Sequence, residues 1–278
     1  MLTATRPVLG LLRASHPEPA AAVTAASAML ALSTGRDAAG TVAVAATLLA
    51  SQLATGWSND AIDAERDAIV GRPDKPIPAG EVSRRTVAVA AVLAAAATPA
   101  LAALSGPAAA LVATAGLASA LLYNWRLKST VLSVLPYAFS FAALPAFVVL
   151  GLPGTPRPPL WMVAAGGLLG AGAHFANTLP DLTDDARTGV HGLPHRLGAT
   201  GSRLAAAGLL LAATATLAFG PPGRPSWVGV AALAATVVVL PVGVYAGMRR
   251  PGSRAPFRAV LLVALIDVVL LLVSGRTL

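Results

Sequence analysis

The chain contains no cysteine, which excludes a disulfide framework, a thiolate metal centre and a cysteine nucleophile. Charge is nearly as scarce. Asp, Glu, Lys and Arg make up 12% of 278 residues, against roughly 25% in a soluble domain. Aromatic residues number thirteen in all, too few to line a large aromatic pocket. What remains is apolar: 56% of the residues are hydrophobic, and mean hydropathy is +0.72. So little charge cannot cover a water-facing surface, so we read the chain as an all-α membrane protein. A net charge of +8 would suit nucleic acid if it lay on one face of a soluble fold. The distribution described next argues against that, and no nucleic-acid partner is expected.

A membrane-spanning helix needs about 20 mostly apolar residues. Nine segments qualify: 17–35, 39–60, 84–105, 107–125, 130–151, 159–180, 201–220, 226–247 and 255–274. Gly, Pro and charge punctuate them, as at Gly35-Arg36-Asp37 and Ser105-Gly106-Pro107. Pro136, Pro145 and Pro241 are expected to kink their helices. Arg6 and Arg13 precede the first segment, as in a signal peptide. That segment runs past Ser33 without a boundary and eight more follow, so it reads as a retained span. With the N-terminus cytoplasmic, sixteen of the twenty Lys and Arg residues fall inside, among them Arg249, Arg250, Arg254 and Arg258. Only Arg36, Arg157, Arg224 and Arg276 fall outside. The expectation is a multi-pass protein of the cell membrane, embedded in the lipid bilayer.

Acidic residues number twelve, and six of them stand in residues 59–85, NDAIDAERDAIVGRPDKPIPAGEVSRR, four of these being Asp60, Asp63, Glu65 and Asp67. A related stretch, NTLPDLTDDARTGVHGLPHRLGATGSR, begins at Asn177. Adding 118 to the first numbers gives the second without a gap. Asn59 pairs with Asn177, Asp63 with Asp181, Asp67 with Asp185, Gly71 with Gly189, Pro76 with Pro194 and Gly80 with Gly198. The chain is therefore read as a single domain, 1–278, with an internal pseudo-repeat.

Residues four apart share a helix face, so each stretch predicts a ladder of oxygen ligands, Asn59-Asp63-Asp67 and Asn177-Asp181-Asp185. Carboxylates at close quarters repel unless a cation stands between them. A site of oxygen donors suits a hard cation, Mg²⁺ before Zn²⁺. Arg72 and Lys75 follow the first ladder, Arg187 and Arg196 the second. Carboxylates, Mg²⁺ and basic side chains together describe a diphosphate site. A solvated, charged loop is the plain alternative, but it leaves the duplication without a reason.

Other residues carry weaker signals. Gln52 lies two turns below Asn59, and His174 one turn before Asn177, so both could extend the ladders. Trp125 and Arg126 suit a membrane-interface belt as well as they suit phosphate. Ser133, Tyr137, Ser140 and Phe141 recur at about one helical turn, as packing residues or as a pocket wall. Gly192 and Pro194 interrupt the helix that a His191–His195 metal pair would need, which favours loop or phosphate contacts. Asp267 is an acid deep in a span, expected to face a cavity or bond a neighbouring helix.

Taken together these motifs resemble the UbiA superfamily of intramembrane prenyltransferases. Its N-D-x-x-D-x-x-x-D pattern is similar to Asn59, Asp60, Asp63 and Asp67, and its following R-P-x-x-P segment to Arg72-Pro73-Asp74-Lys75-Pro76. The second motif resembles Asp181, Asp185 and Gly189, then Gly192 to Gly198, with Gly192 where the family has Thr. Tyr123 and Lys128 are similar to a Tyr and Lys that follow the family's fourth span. The resemblance implies nine transmembrane helices around a central cavity under a cytoplasmic cap. It implies two Mg²⁺ ions held by Asn59, Asp60, Asp63, Asp67, Asp181 and Asp185. The diphosphate of an isoprenyl substrate would meet Asn59, Arg72, Lys75, Tyr123, Lys128, Asn177 and Arg196. Asp63, Asp67, Asp181 and Asp185 would be central to catalysis, with an acceptor that the motifs leave unnamed.

A terpene cyclase of the same family would share this ionisation machinery and quench the cation internally. The scarcity of aromatics slightly favours the transferase. A repeat-built transporter is a third reading, but acid ladders beside phosphate-binding cations fit it poorly. The span count makes its own prediction. A reporter inserted near Pro73 should be cytoplasmic and one fused after Leu278 external; opposite labelling at either point would break the count.

Overall fold

The computed structural model describes residues 5–72, 75–249 and 255–276. Pro73 and Asp74 of the first motif, Arg250 and Arg254 of the charge count, and Leu278 lie outside the described residues. The described chain is helical, without a strand. In order the helices are α1 (Thr5–Ala14), α2 (Pro17–Ser33), α3 (Ala38–Ile69), α4 (Arg84–Ala102), α5 (Pro107–Trp125) and α6 (Val134–Leu150). There follow α7 (Leu160–Thr178), α8 (Leu182–Arg187), α9 (Leu193–Phe219), α10 (Trp227–Arg249) and α11 (Ala255–Gly275). Among the described residues six helices are long and apolar enough to cross a membrane: α3, α4, α5, α9, α10 and α11. Helix α6 is apolar but only 17 residues long, and α2 also has 17.

Local chemistry sets the boundaries. The Asp37 carboxylate accepts the Gly40 amide at 2.7 Å and starts α3. The Ser83 hydroxyl accepts from Thr86 at 3.0 Å and starts α4. Pro107 opens α5, where its missing N–H would have had no partner. Pro136 does the same in the first turn of α6, so it starts that helix instead of bending it. Pro145 and Pro241 lie inside α6 and α10, and Pro99 inside α4. Successive helices pack as neighbours, and α11 returns to α2, so the bundle closes on itself.

The 118-residue repeat is carried in the backbone. After the first acid motif Arg72 N–H bonds the Asp67 carbonyl at 3.0 Å; after the second, Val190 N–H bonds that of Asp185 at 2.9 Å. Gly71 and Gly189 precede these amides with φ of +68° and +80°. This is the glycine-terminated helix end in which a left-handed residue turns the chain back over the last turn. Gly80 and Gly198 repeat the match, at +70° and +67°. Gly198 breaks α9 into a short first part and the long apolar part that follows.

At the opposite end of the bundle from the acid motifs, Arg36 is 8% exposed. Its guanidinium donates to Ser105 Oγ at 3.0 Å and toward the Val148 carbonyl at 3.4 Å. The charge count places Arg36 in an external loop; within the fold it is buried and ties the ends of α2, α4 and α6 together. Burial holds its pKa below the ordinary arginine value. Gly151 gives it room, since a Cβ there would collide with the guanidinium. Gly151→Ala should therefore lower folding stability by about 1–3 kcal/mol. In an Arg36→Ala background the same change should cost much less. Equal losses in both backgrounds, measured by thermal or denaturant unfolding, would separate the two residues.

Candidate active site

Helix α3 has 32 residues and runs roughly 48 Å, well beyond a hydrocarbon core of about 30 Å. Its last turns carry the first acid motif to a cavity that the end of α7 also lines. Asn59, Asp63 and Asp67 follow one another along α3 as the spacing predicts, and the Asn59 amide donates to Asp63 Oδ2 at 3.1 Å. The second ladder is interrupted. Asn177 ends α7, Asp181 lies in a turn, and Asp185 is in α8. Pro180 has no N–H for the helical ladder, so a continuous helix over 177–185 does not form. The two motifs nonetheless line one cavity of about 510 Å³.

Cations neutralise most of these acids. Asp60 and Asp63 are 3% and 4% exposed. Lys75 Nζ lies 2.6 Å from Asp60 Oδ1, and His16 Nε2 lies 2.9 Å from the same oxygen. Asp60 is one residue off the ladder face, which turns it toward this pair. Arg66 donates to Asp63 Oδ2 at 2.7 Å, and Lys128 donates to Asp63 Oδ1. Burial lowers the pKa of Lys128, and Asp63 opposes that shift. Arg72 reaches Asp181 Oδ1 at 3.2 Å, across the two halves of the repeat. Two carboxylates lack such a bond. Asp67 is 5% exposed and forms no side-chain hydrogen bond or ion pair among the described residues. Asp185 has Arg66 at 3.8 Å and His195 at 3.5 Å, both beyond good hydrogen-bond length. Burial raises the pKa of Asp185, and Arg66 only partly offsets this.

The loop that carries Lys128 is fitted closely to the second motif. Ser133 Oγ accepts the Leu193 amide at 3.0 Å and meets His174 Nε2 at 3.0 Å. A Cβ on residue 192 would stand 2.5 Å from the Lys128 carbonyl. This accounts for Gly192, where a larger residue would push the Lys128 loop away. Asn124 fixes the end of α5 to α3 by donating to Thr55 O at 2.9 Å and Ser58 Oγ at 2.8 Å. Tyr123 and Tyr137 meet edge to face at 5.0 Å, and His174 packs against both.

Not every sequence candidate lies here. Arg196 is exposed on α9 and does not line the cavity. Trp125 and Arg126 are exposed and stack on each other, 4.8 Å from guanidinium to ring. His191 is exposed, whereas His195 lines the cavity. Asp267 is fully buried and bonds Thr214 at 2.6 Å, a contact to a neighbouring helix. Sequence reasoning missed His16, whose partner is 44 residues away, and the part played by Arg66. The only local sign of Arg66 is its place three residues after Asp63, one helical turn on.

Below the polar cavity lies an apolar one of about 250 Å³. The two share Gln52, Thr55, Tyr123, Asn124, Tyr137 and Asn177 in their walls. Among the described residues no three acidic or histidine side chains converge as a ready metal centre, because Lys128, Arg66 and Arg72 occupy the space between them. The donor chemistry still fits a hard divalent cation. The donors are oxygens; the buried Asp67 has no ion pair among the described residues, and the half-buried Asp185 has only the longer contacts to Arg66 and His195.

Comparison with known proteins agrees with this architecture. A family model described as the UbiA prenyltransferase family matches residues 20–266. A UbiA homolog from Archaeoglobus fulgidus, bound to DMAPP and Mg²⁺, superposes with a TM-score of 0.71 at 15% identity, over 96% of this chain and 98% of that one. The apo UbiA homolog from Aeropyrum pernix K1 gives 0.69 at 24% identity, over 90% and 95%. A digeranylgeranylglyceryl phosphate synthase from Methanopyrus kandleri is 31% identical over 159 residues. That match covers 56% of this chain and 58% of the relative.

The weak pairing of Asp185 leads to a prediction about the metal-free protein. The raised pKa of Asp185 means that its ionisation opposes folding. The burden is absent below the ordinary carboxylate range and grows as pH rises through the folded value. Asp185→Asn should thus raise the melting temperature in EDTA at neutral pH, with the gain fading in acid. It should also shrink the upward shift that Mg²⁺ produces in the unsubstituted chain. A lower melting temperature in EDTA together with an unchanged Mg²⁺ shift would remove Asp185 from the metal set.

Proposed function

We propose, from the premise that this chain belongs to the UbiA prenyltransferase family, that it ionises an isoprenyl diphosphate and transfers the prenyl group to an acceptor. The observation that carries the reading is the joined pair of cavities. A chamber lined by two acid motifs and several cations adjoins an apolar chamber, and the two share wall residues. That shape and polarity match a molecule with a diphosphate head and a hydrocarbon tail. We assign the protein nine membrane crossings, the six long helices together with α2, α6 and α7. The acid motifs and the N-terminus then face the cytoplasm, as the distribution of Lys and Arg supports.

Asn59, Asp63, Asp67, Asp181 and Asp185 would hold Mg²⁺. When bound, the metal neutralises the diphosphate and stabilises it as a leaving group. Asp60 serves a different end in this reading, keeping Lys75 and His16 in place. Lys128, Arg66 and Arg72 exchange their carboxylate partners for diphosphate oxygens, while Lys75, still held by Asp60, offers its remaining N–H groups. Their N–H donors then face the oxygen that gains charge as the carbon–oxygen bond breaks. The bonding electron pair leaves with the diphosphate, and the prenyl carbon becomes an allylic cation. Tyr123 and Tyr137 border the junction of the chambers, where a ring face would stabilise the positive charge on that carbon. The apolar walls keep water from the cation until the acceptor's nucleophilic atom bonds to it and sheds its proton. Asn177 lies at the same junction, placed to orient the head.

If Asp63 and Asp181 serve one diphosphate, Asp63→Ala and Asp181→Ala should each lower diphosphate release by about a hundredfold or more. The double variant should be little worse than either single, because groups acting as a unit are not additive. Near-normal release from both singles would return the motifs to solvated loops. Partial and additive losses would indicate two separate ion sites.

A further inference from the structure

The apolar chamber is blind. On α6 its wall descends from Tyr137 through Phe141 and Leu144 to Phe147. On α5 it descends from Tyr123 to Ala113. Both paths cover ten residues, about 15 Å of helix. Phe147 is 1% exposed, and Val44, Ala102, Ala109 and Val148 beyond it are all at 0%. These residues form one packed cluster that closes the far end. Thr47 and Thr98 flank the floor, but their hydroxyls bond their own helices, to Ala43 O at 2.7 Å and Ala94 O at 2.9 Å. They therefore offer methyl groups to whatever sits there. All of the lining comes from α2 to α7, and α9, α10 and α11 add none.

An extended chain advances roughly 3.5 Å per three bonds, so a four-bond isoprene unit takes about 4.7 Å. A depth of about 15 Å then holds about three units. The volume, about 250 Å³, is also small beside the roughly 300–1,000 Å³ of common ligand pockets. We propose that Phe147 is a specificity-determining residue that limits the prenyl tail to about three isoprene units, so that the chain takes C10 and C15 diphosphates in preference to C20. This limit rests on the prenyl-diphosphate reading above. It adds the length of the tail, which the acid motifs leave open.

The test uses the full chain in lipid nanodiscs with Mg²⁺ and the C10, C15 and C20 thiolodiphosphates, whose carbon–sulfur bond resists ionisation. Affinity should rise from C10 to C15 and fall at least tenfold at C20. Phe147→Val deepens the floor and should recover C20 binding. Ala113→Leu fills the same level from α5 and should lower the ratio of C15 to C10 affinity; it decides the matter should Phe147→Val fail to fold. C20 binding as tightly as C15, or an unchanged ratio in folded Ala113→Leu, would overturn the length limit alone. No binding of any analogue would overturn the diphosphate reading and the limit with it.

Discussion

Repulsion among five carboxylates gathered at one end of an apolar bundle governs how that end is built. Moving an ion out of water costs several kcal/mol, and removing the partner of a buried charge costs about 3–5 kcal/mol. Asp60 and Asp63 are nearly buried and have cations against them, whereas Asp67, equally buried, feels Lys75 and Arg66 only from farther off. The chain supplies most of these cations from a distance in sequence. Lys75 comes from the loop after the first motif, Lys128 from the loop after α5, and Arg72 reaches across to Asp181 in the second half. Each acid motif ends in the same glycine-terminated turn. Beyond that turn the first half returns Lys75 to Asp60, and the second brings His195 toward Asp185.

The same charges explain why the cavity has an abrupt change of character. Polar groups collect where α3 and α7 end and the loops begin. One or two turns below, the side chains of α3, α5 and α6 are apolar, and their hydroxyls are tied to backbone carbonyls. Tyr123, Tyr137 and Gln52 mark the boundary. At the opposite end Arg36 bonds Ser105 and the α6 terminus. A charge fixed there draws the ends of α2, α4 and α6 together and closes the bundle away from the acids. The polar chamber, the apolar chamber and the closed floor are thus consequences of where a few charges stand.

Much of this was written in local sequence. The helical class follows from scarce charge and long apolar segments, and each of the two acid stretches could be recognised from the other by a constant offset. The i, i+4 spacing placed Asn59, Asp63 and Asp67 on one face, since a helix turns by a fixed amount per residue. The matched glycines were visible as residues, and their shared positive φ gives the repeat its conformational meaning. What depends on periodicity or on neighbours a few residues apart could be read from the chain alone.

Other features are decided by contacts that no spacing encodes. His16 meets Asp60 over 44 residues, Lys128 meets Asp63 over 65, and Arg72 meets Asp181 over 109. Pro180 interrupts the second ladder, yet Asp181 and Asp185 reach the same cavity because α3 and α7 both end at it. Arg36 reads as a loop charge in the sequence and becomes a buried clasp in the fold; Arg196 reads as a phosphate ligand and lies exposed on α9. Gly192 departs from a family pattern for a reason that only the nearby Lys128 carbonyl supplies. Sequence by itself determined the helices and the chemistry of the two motifs, because hydrophobic and helical periodicity are local. Tertiary structure alone decided which cation neutralises which acid and how deep the apolar chamber runs, because those depend on helices whose residues are far apart in the chain.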